Sequence, residues 1–234
     1  MKPVVVFRHA QCEGAGYLGF FLNQNEIPWR EVRIDLGEDI PATVDQCSGL
    51  VFMGGPMSVN DELPWIPKAT KLIQKAIDQD VPVIGHCLGG QLISKALGAH
   101  VTKNPVEEIG WGALHVHENE DAKKWFGHTK QFLGFHWHGK TFSLPSGATP
   151  LLSSQYCENQ AYAIGKHLAM QCHVEMTGVL VRQWYHCWAS QVESSVSPAV
   201  QTKQEMLENL SSRVKQLNQQ AHAIYAEWIL GLSA

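Results

Sequence analysis

The sequence predicts an α/β fold: an open mixed sheet, parallel at its start, with helices packed on it and further helices at the C-terminal end. Three observations carry this. Short β-rich apolar runs alternate with a helical pattern through the first hundred residues, closely spaced short strands follow from about residue 100, and helical periodicity returns after residue 178.

The runs VVVF (4–7), EVRID (31–35), GLVFMGG (49–55) and VPVIG (81–85) have the near-continuous apolar character of parallel strands buried on both faces. Between the last two, Ile66, Ala69, Leu72, Ile73, Ala76 and Ile77 recur at steps of three and four. That spacing puts them on one face of a helix packing back onto the sheet, as in a βαβ unit. HVTK, GALHVH, QFLGFHWH, ATPLLSS, AYAIGK and LAMQCH then read as short strands separated by turn residues, forming mixed or antiparallel extensions of the same sheet. In the last helix, Val214, Leu217, Ala221, Ile224, Tyr225 and Trp228 make one apolar stripe whose expected role is to cover the core. Only VESSVSP (192–198) has the composition of a linker, and there is no internal repeat. The expected organisation is one domain over 1–190 with a helical extension, 191–234, packed on it.

The 234 residues are 44% apolar and 17% charged, with a formal charge of -4. A chain of this size buries enough surface to fold without staples. It has no basic patch of the kind nucleic acids require, and no run of membrane-spanning length. The N-terminal apolar run is short and is interrupted by Arg8 and His9, unlike a signal peptide, so a cytoplasmic location is expected. The six cysteines lack any C-x-x-C pair, so neither a zinc knuckle nor a disulfide framework is expected.

One cysteine stands apart. In VPVIGHCLGGQLISKALG, Cys87 lies between a strand and a helix, flanked by Gly85 and Gly89. This G-x-C-x-G pattern is that of a nucleophile elbow, in which a sharp turn presents the side chain at the top of the sheet and the glycines relieve crowding. The helix that follows directs its N-terminal dipole at the sulfur and favours the thiolate. The other five cysteines are expected to be inert. A thiolate nucleophile needs a proton shuttle, and LAMQCHVEMT supplies His173 and Glu175, whose spacing of two places both on one face of a strand. The turn MGGPMS (53–58), with the N–H of Leu88, offers donors for an oxyanion.

Taken together, G-x-C-x-G-x-Q (Gly85, Cys87, Gly89, Gln91), the upstream GGP and the downstream H-x-E resemble the class I glutamine amidotransferases over about residues 1–190. VFMGGPMSVNDELPW, EIGWG, FHWHGKTF and ENQAYAIG extend the likeness, which is strongest to stand-alone members similar to the glutaminase domain of GMP synthase. The resemblance implies a flavodoxin-like sheet with helices on both faces, a Cys87–His173–Glu175 triad, and an oxyanion hole from Gly55 and Leu88. It also implies that Gln91, Trp137, His138, Gly139 and Lys140 line the glutamine site. No cofactor is implied. The substrate is a small amide, and a separate synthetase subunit is the implied acceptor partner, because the sequence has no S-G-G-x-D-S run of an ATP-gripping module. Two alternatives stay open: a γ-glutamyl peptide hydrolase acting without a partner, and a catalytically weak regulatory subunit. Two departures bear on them. Val174 replaces the Pro usual between His and Glu, and Lys140 stands where related chains often carry Asp.

Three other patterns lack the context that their chemistry requires. GFHWHGKT (134–141) fits G-x-x-x-x-G-K-[ST], but its interior alternates like a strand, and Pro145 and Gly147 follow where a helix is required. GAGYLG (14–19), with Asp35 beyond it, fits a dinucleotide fingerprint, but the polar run RHAQCE separates it from its strand. His115 with His117, and His136 with His138, share strand faces but lack a third metal ligand at a recognisable spacing, so no metal is expected.

Overall fold

The computed structural model describes residues 1–232. Four strands make a parallel half-sheet: β1 (Val4–Arg8), β2 (Trp29–Arg33), β3 (Gly49–Phe52) and β4 (Val83–His86). β1 sits between β2 and β3, and β3 pairs with β4. Side-chain alternation sorts the two faces. Val4 and Val6 enter one apolar core while Val5 and Phe7 enter the other, as the period of two demands. Helix α1 (Gly16–Gln24) covers the first face; α2 (Trp65–Asp78) and α3 (Leu88–Ala96) cover the second. The predicted βαβ helix is therefore α2, with Ile66, Ala69, Leu72, Ile73 and Ala76 buried and Ile77 packed at the margin.

The second half is antiparallel. HVTK and GALHVH fuse into one strand, β5 (Val101–Val116), paired along its length with β6 (Gln131–Phe142), with a register shift between Lys103 and Glu108. α4 (Glu120–Phe126) joins them, capped by the Asn119 side chain. β7 (Thr149–Ser153), β8 (Ala161–Ile164) and β9 (His167–Met170) form a meander, and β9 pairs parallel to β4, which joins the two halves into one sheet. The sheet is the expected open mixed one with helices on both faces.

The chain ends in α5 (Gly178–Ser194), a short strand β10 (Ala199–Val200) on β5, α6 (Lys203–Leu207) and α7 (Leu210–Ile229). In α7, Leu217, Ala221, Ile224, Tyr225 and Trp228 are buried in the same core as α1 and α5, and Val214 packs against it. Among the described residues no helix is long and apolar enough to cross a membrane.

Four expectations need correction. β2 stops at Arg33, because residues 34–36 turn into a 3-10 helix whose Asp35 is drawn to the Arg8 guanidinium at 3.0 Å. LAMQCH is a strand only to Met170, so His173 and Glu175 lie beyond it, where the His173 N–H donates to the Phe135 carbonyl in a single bridge. The cysteines are not all separate: Cys12 and Cys187, 175 residues apart, form a disulfide that ties the β1–α1 loop to α5. The linker-like segment 192–198 begins within the last turn of α5 and is no free tether, since Ser195 and Ser197 donate to the side chain and backbone of Glu107.

Candidate active site

The parallel strands direct their carboxyl ends to one rim, the position where open α/β sheets gather ligands. After β1 come His9 and Glu13, after β3 Gly54 and Gly55, after β4 Cys87, and after β9 Gln171, His173 and Glu175. Cys87 holds φ 49°, a left-handed conformation rare for a side chain with a Cβ. The turn is sharp enough that a Cβ on Gly85 would come within 2.4 Å of the Gly89 carbonyl carbon, and one on Gly89 within 1.9 Å of the Phe52 oxygen. These contacts explain both glycines of G-x-C-x-G. The Cys87 N–H donates to the Met170 carbonyl, which fastens the elbow to β9.

Beside the sulfur stands His173, fully buried, with Nδ1–H donating to Glu175 at 2.6 Å. Burial opposes a charge on the ring, but the Glu175 carboxylate and then Cys87 outweigh it and hold the His173 pKa well above the usual value. Burial likewise opposes the Glu175 charge, yet His86 and His173 bring its pKa below the ordinary carboxylate range. The direction is that of an imidazolium held between a carboxylate and a sulfur. Val174, the unusual residue between them, is buried in the apolar core, so the pair forms without a proline.

Leu88 is the first residue of α3, where an N–H has no acceptor within the helix. Gly55 faces it: a Cβ there would lie 2.8 Å from Leu88 Cδ2. The cleft in front of the sulfur has a volume of about 820 Å³. Gly55, Cys87, Gln91, Trp137, His138, Gly139, Lys140 and His173 all line it; Glu175 and Leu88 stand behind. Gln91 donates to Gln171, and Gln171 in turn donates to Sγ of Cys87 at 3.3 Å. Lys140 lies directly across the strand pair from Lys103, so two cations share the lip.

The set-aside patterns find other uses. GFHWHGKT lies wholly within β6 and opens no helix. Gly16 of GAGYLG has φ 53°, and a Cβ there would lie 2.3 Å from the Glu175 carbonyl oxygen, to which the Tyr17 N–H donates, so the position demands glycine. That glycine serves the packing of the β1–α1 loop on Glu175, and Asp35 is engaged by Arg8. His136 and His138 acquire a neighbour the sequence spacing did not disclose, Glu108, brought across by the β5–β6 register.

Several residues of this region escaped the sequence. Glu13, 5% exposed, lines the cleft, its buried Oε2 has no hydrogen-bond partner among the described residues, and burial raises its pKa to about 8, with His173 opposing and Glu175 adding to the rise. Its signal was its place in the loop after β1. Trp184 puts its ring against His173, centroids 4.6 Å apart and nearly perpendicular, and donates its N–H to the Cys12 carbonyl. Ser194, Ser195 and Ser197 close one wall of the cleft.

A profile of "Glutamine amidotransferase class-I" matches residues 22–181. The chain belongs to the class I glutamine amidotransferase family. It is 34% identical over 178 residues to the glutamine amidotransferase-like protein YfeJ of Salmonella typhimurium, covering 72% of this chain and 74% of that one. It is 29% identical over 148 residues to a glutamine-hydrolysing GMP synthase subunit of Methanococcus maripaludis, covering 59% of this chain and 72% of that one. The crystal structure of a glutamine amidotransferase from Methylobacillus flagellatus superposes with a TM-score of 0.97 at 43% identity, covering 100% of this chain and 96% of that one.

Proposed function

We propose that this amidotransferase cleaves the γ-amide of glutamine, or a related γ-glutamyl amide, through a thioester on Cys87. The Cys87 sulfur attacks the amide carbon, and the carbonyl oxygen takes the negative charge in front of the N–H groups of Gly55 and Leu88. As the tetrahedral species collapses, the C–N bond breaks and His173 delivers its proton to the leaving nitrogen, which departs as ammonia. Water then gives a proton to His173 and attacks the thioester; the C–S bond breaks, glutamate leaves, and the thiolate–imidazolium pair is restored. Glu175 holds the ring in the orientation that lets Nε2 serve both steps.

The observation that supports this most is the buried His173, bonded to Glu175 at 2.6 Å and beside a cysteine strained at the end of β4. Kinship to a GMP synthase subunit favours delivery of the ammonia to a separate synthetase chain. The breadth of the cleft and the paired Lys103 and Lys140 at its lip favour a second reading, in which larger γ-glutamyl compounds carrying an anion are hydrolysed with no acceptor.

Ammonia release from glutamine by the purified chain, set beside amine release from a panel of γ-glutamyl dipeptides, decides between them. Preference for glutamine supports the first reading, and preference for the dipeptides supports the second. Turnover of every amide should vanish in Cys87→Ala while the circular dichroism spectrum is unchanged; a folded variant that still releases ammonia refutes both.

A further inference from the structure

Behind the cleft wall formed by β6, ionisable side chains converge apart from the sulfur chemistry. Glu108, His136 and His138 each offer a ligand atom within 4.8 Å of the other two, and all three side chains are buried. Oε2 of Glu108 stands 3.3 Å from Nε2 of His138. The amide nitrogen of Gln160 lies 2.9 Å from that Glu108 oxygen, 3.2 Å from His138 Nε2 and 3.3 Å from His136 Nδ1. A tetrahedral ion with arms of about 2.1 Å sets its ligand atoms about 3.4 Å apart. Four of the six edges joining these four atoms are therefore close to those of such a shell.

Hydrogen bonds alone do not satisfy the cluster. The Gln160 amide has two hydrogens, yet a fourth acceptor, Ser154 Oγ, also lies 3.0 Å from its nitrogen. Its Oε1, fully buried, has no partner among the described residues. His138 Nδ1 is 2.9 Å from the Lys140 carbonyl, which only accepts, so Nδ1 carries the hydrogen and a neutral ring turns a bare Nε2 toward the Glu108 carboxylate. With Nε2 bare, two acceptors would face each other across 3.3 Å, so a positive charge, a metal ion or a proton, belongs between them.

We propose that Glu108, His136 and His138 form a site for a zinc-type divalent cation, with Gln160 as fourth ligand once its amide makes a half-turn that exchanges Nε2 for Oε1. Two imidazoles, a carboxylate and an amide oxygen suit zinc rather than magnesium or calcium. The surroundings are those that orient metal ligands: the Lys140 carbonyl on the far nitrogen of His138, and Ser154 Oγ donating to Glu108 at 2.8 Å. His138 lines the cleft, which gives the ion a route in. Once bound, it would fasten β5 and β6 to the β7–β8 connection and stiffen the wall that carries His138 and Lys140.

The rival arrangement is a proton in the cation's place, an imidazolium of His138 against Glu108. To separate the two, the Cys87→Ala chain is used, because its elbow has no thiolate to capture zinc. The protein is stripped with a chelator and titrated with zinc ion in competition with a chromophoric chelator; cobalt(II) loading adds a visible spectrum. The site predicts one zinc per chain and the absorption of tetrahedral cobalt with nitrogen and oxygen ligands. His136→Gln and Glu108→Gln should each weaken binding by at least about 100-fold. Binding well below one ion per chain, or equal affinity in a folded His136→Gln chain, overturns the proposal. If Glu108→Gln does not fold, the His136→Gln comparison carries the test. No readout depends on amide hydrolysis, so the outcome is independent of the proposed activity.

Discussion

The hydroxyl of Tyr225 lies 3.0 Å from Nε2 of His86, so the last helix of the chain reaches the residue that precedes the elbow cysteine. The same Nε2 is 3.7 Å from Glu175. Burial, with His173 adding to it and Glu175 opposing, pushes the His86 pKa down. Helix α7 thus supports the far side of the carboxylate that orients His173. Tyr225→Phe removes the hydroxyl from a fully buried site and should cost about 1–2 kcal/mol of stability. By loosening Glu175 it should lower kcat more than it changes KM. Denaturation midpoints and amide turnover check this, and an unaltered kcat in a destabilised chain would confine Tyr225 to packing.

Glu13 sets a pH dependence of stability. Its carboxyl is shifted from an ordinary 4.5 to about 8 by burial, so between these values the folded chain holds a proton that the unfolded chain has released. Stability therefore falls as pH rises through this window and is level above it. Glu13→Gln keeps the shape without the charge and should gain on the parent as pH rises from 5 to 8, by a few kcal/mol at the upper end. Thermal unfolding of both proteins across this range measures the gap. A gap that stays constant with pH would show that Glu13 is not held neutral.

His9 works in the opposite direction. Burial, opposed by the Gly54 and Met53 carbonyls and by Asp35, takes its pKa down to about 4. The unfolded chain then binds the proton first as pH falls below about 6.5, and stability is lost from there down to pH 4. His9→Asn, which keeps a donor for the Met53 carbonyl, should flatten this acid limb while lowering stability at neutral pH by about 1–2 kcal/mol. Midpoints at pH 4.5 and 7 test it, and an acid limb as steep as the parent's would count against it.

Much of the frame was legible because it rests on local periodicity. The alternation of Val4 to Phe7 between two cores and the three-and-four spacing from Ile66 to Ala76 are set within a few residues. Cys87 could be read because the crowding at Gly85 and Gly89 leaves a local signature. What stayed hidden depends on register across distance. Glu108 meets His138 through strand pairing, Glu13 reaches the cleft through a loop, and Cys12 meets Cys187 through the packing of α5. The Pro usually seen between His and Glu is not needed, because the Phe135 carbonyl already fixes the backbone at His173.

The disulfide gives a redox prediction. It joins residues 175 apart, and the Cys12 carbonyl receives the N–H of Trp184, whose ring rests on His173. Closing so long a loop constrains the unfolded chain and is worth about 2–5 kcal/mol. Alkylation of the denatured oxidised protein should therefore count four free thiols, rising to six after reduction. Cys187→Ser should lower the melting temperature and slow amide turnover by releasing Trp184. Six thiols without reductant would rule out the bond.

Lys140 faces Lys103 across the β5–β6 pair, and both border the cleft. Two like charges at this spacing repel unless an anion lies near, so the lip should favour substrates with a carboxylate beyond the scissile amide. Lys140→Asp pairs with Lys103 and removes the attraction. The ratio of kcat/KM for a γ-glutamyl dipeptide with a free carboxylate to that of its carboxamide should drop roughly five- to tenfold, as for the loss of one partly exposed charge contact. The rate of Cys87 alkylation by iodoacetamide should be unchanged, because among the described residues no hydrogen bond or ion pair joins the Lys140 side chain to Cys87 or His173. An unaltered ratio would move substrate selection to the serine wall of residues 194–197, and a changed alkylation rate would place Lys140 in the thiolate's own environment.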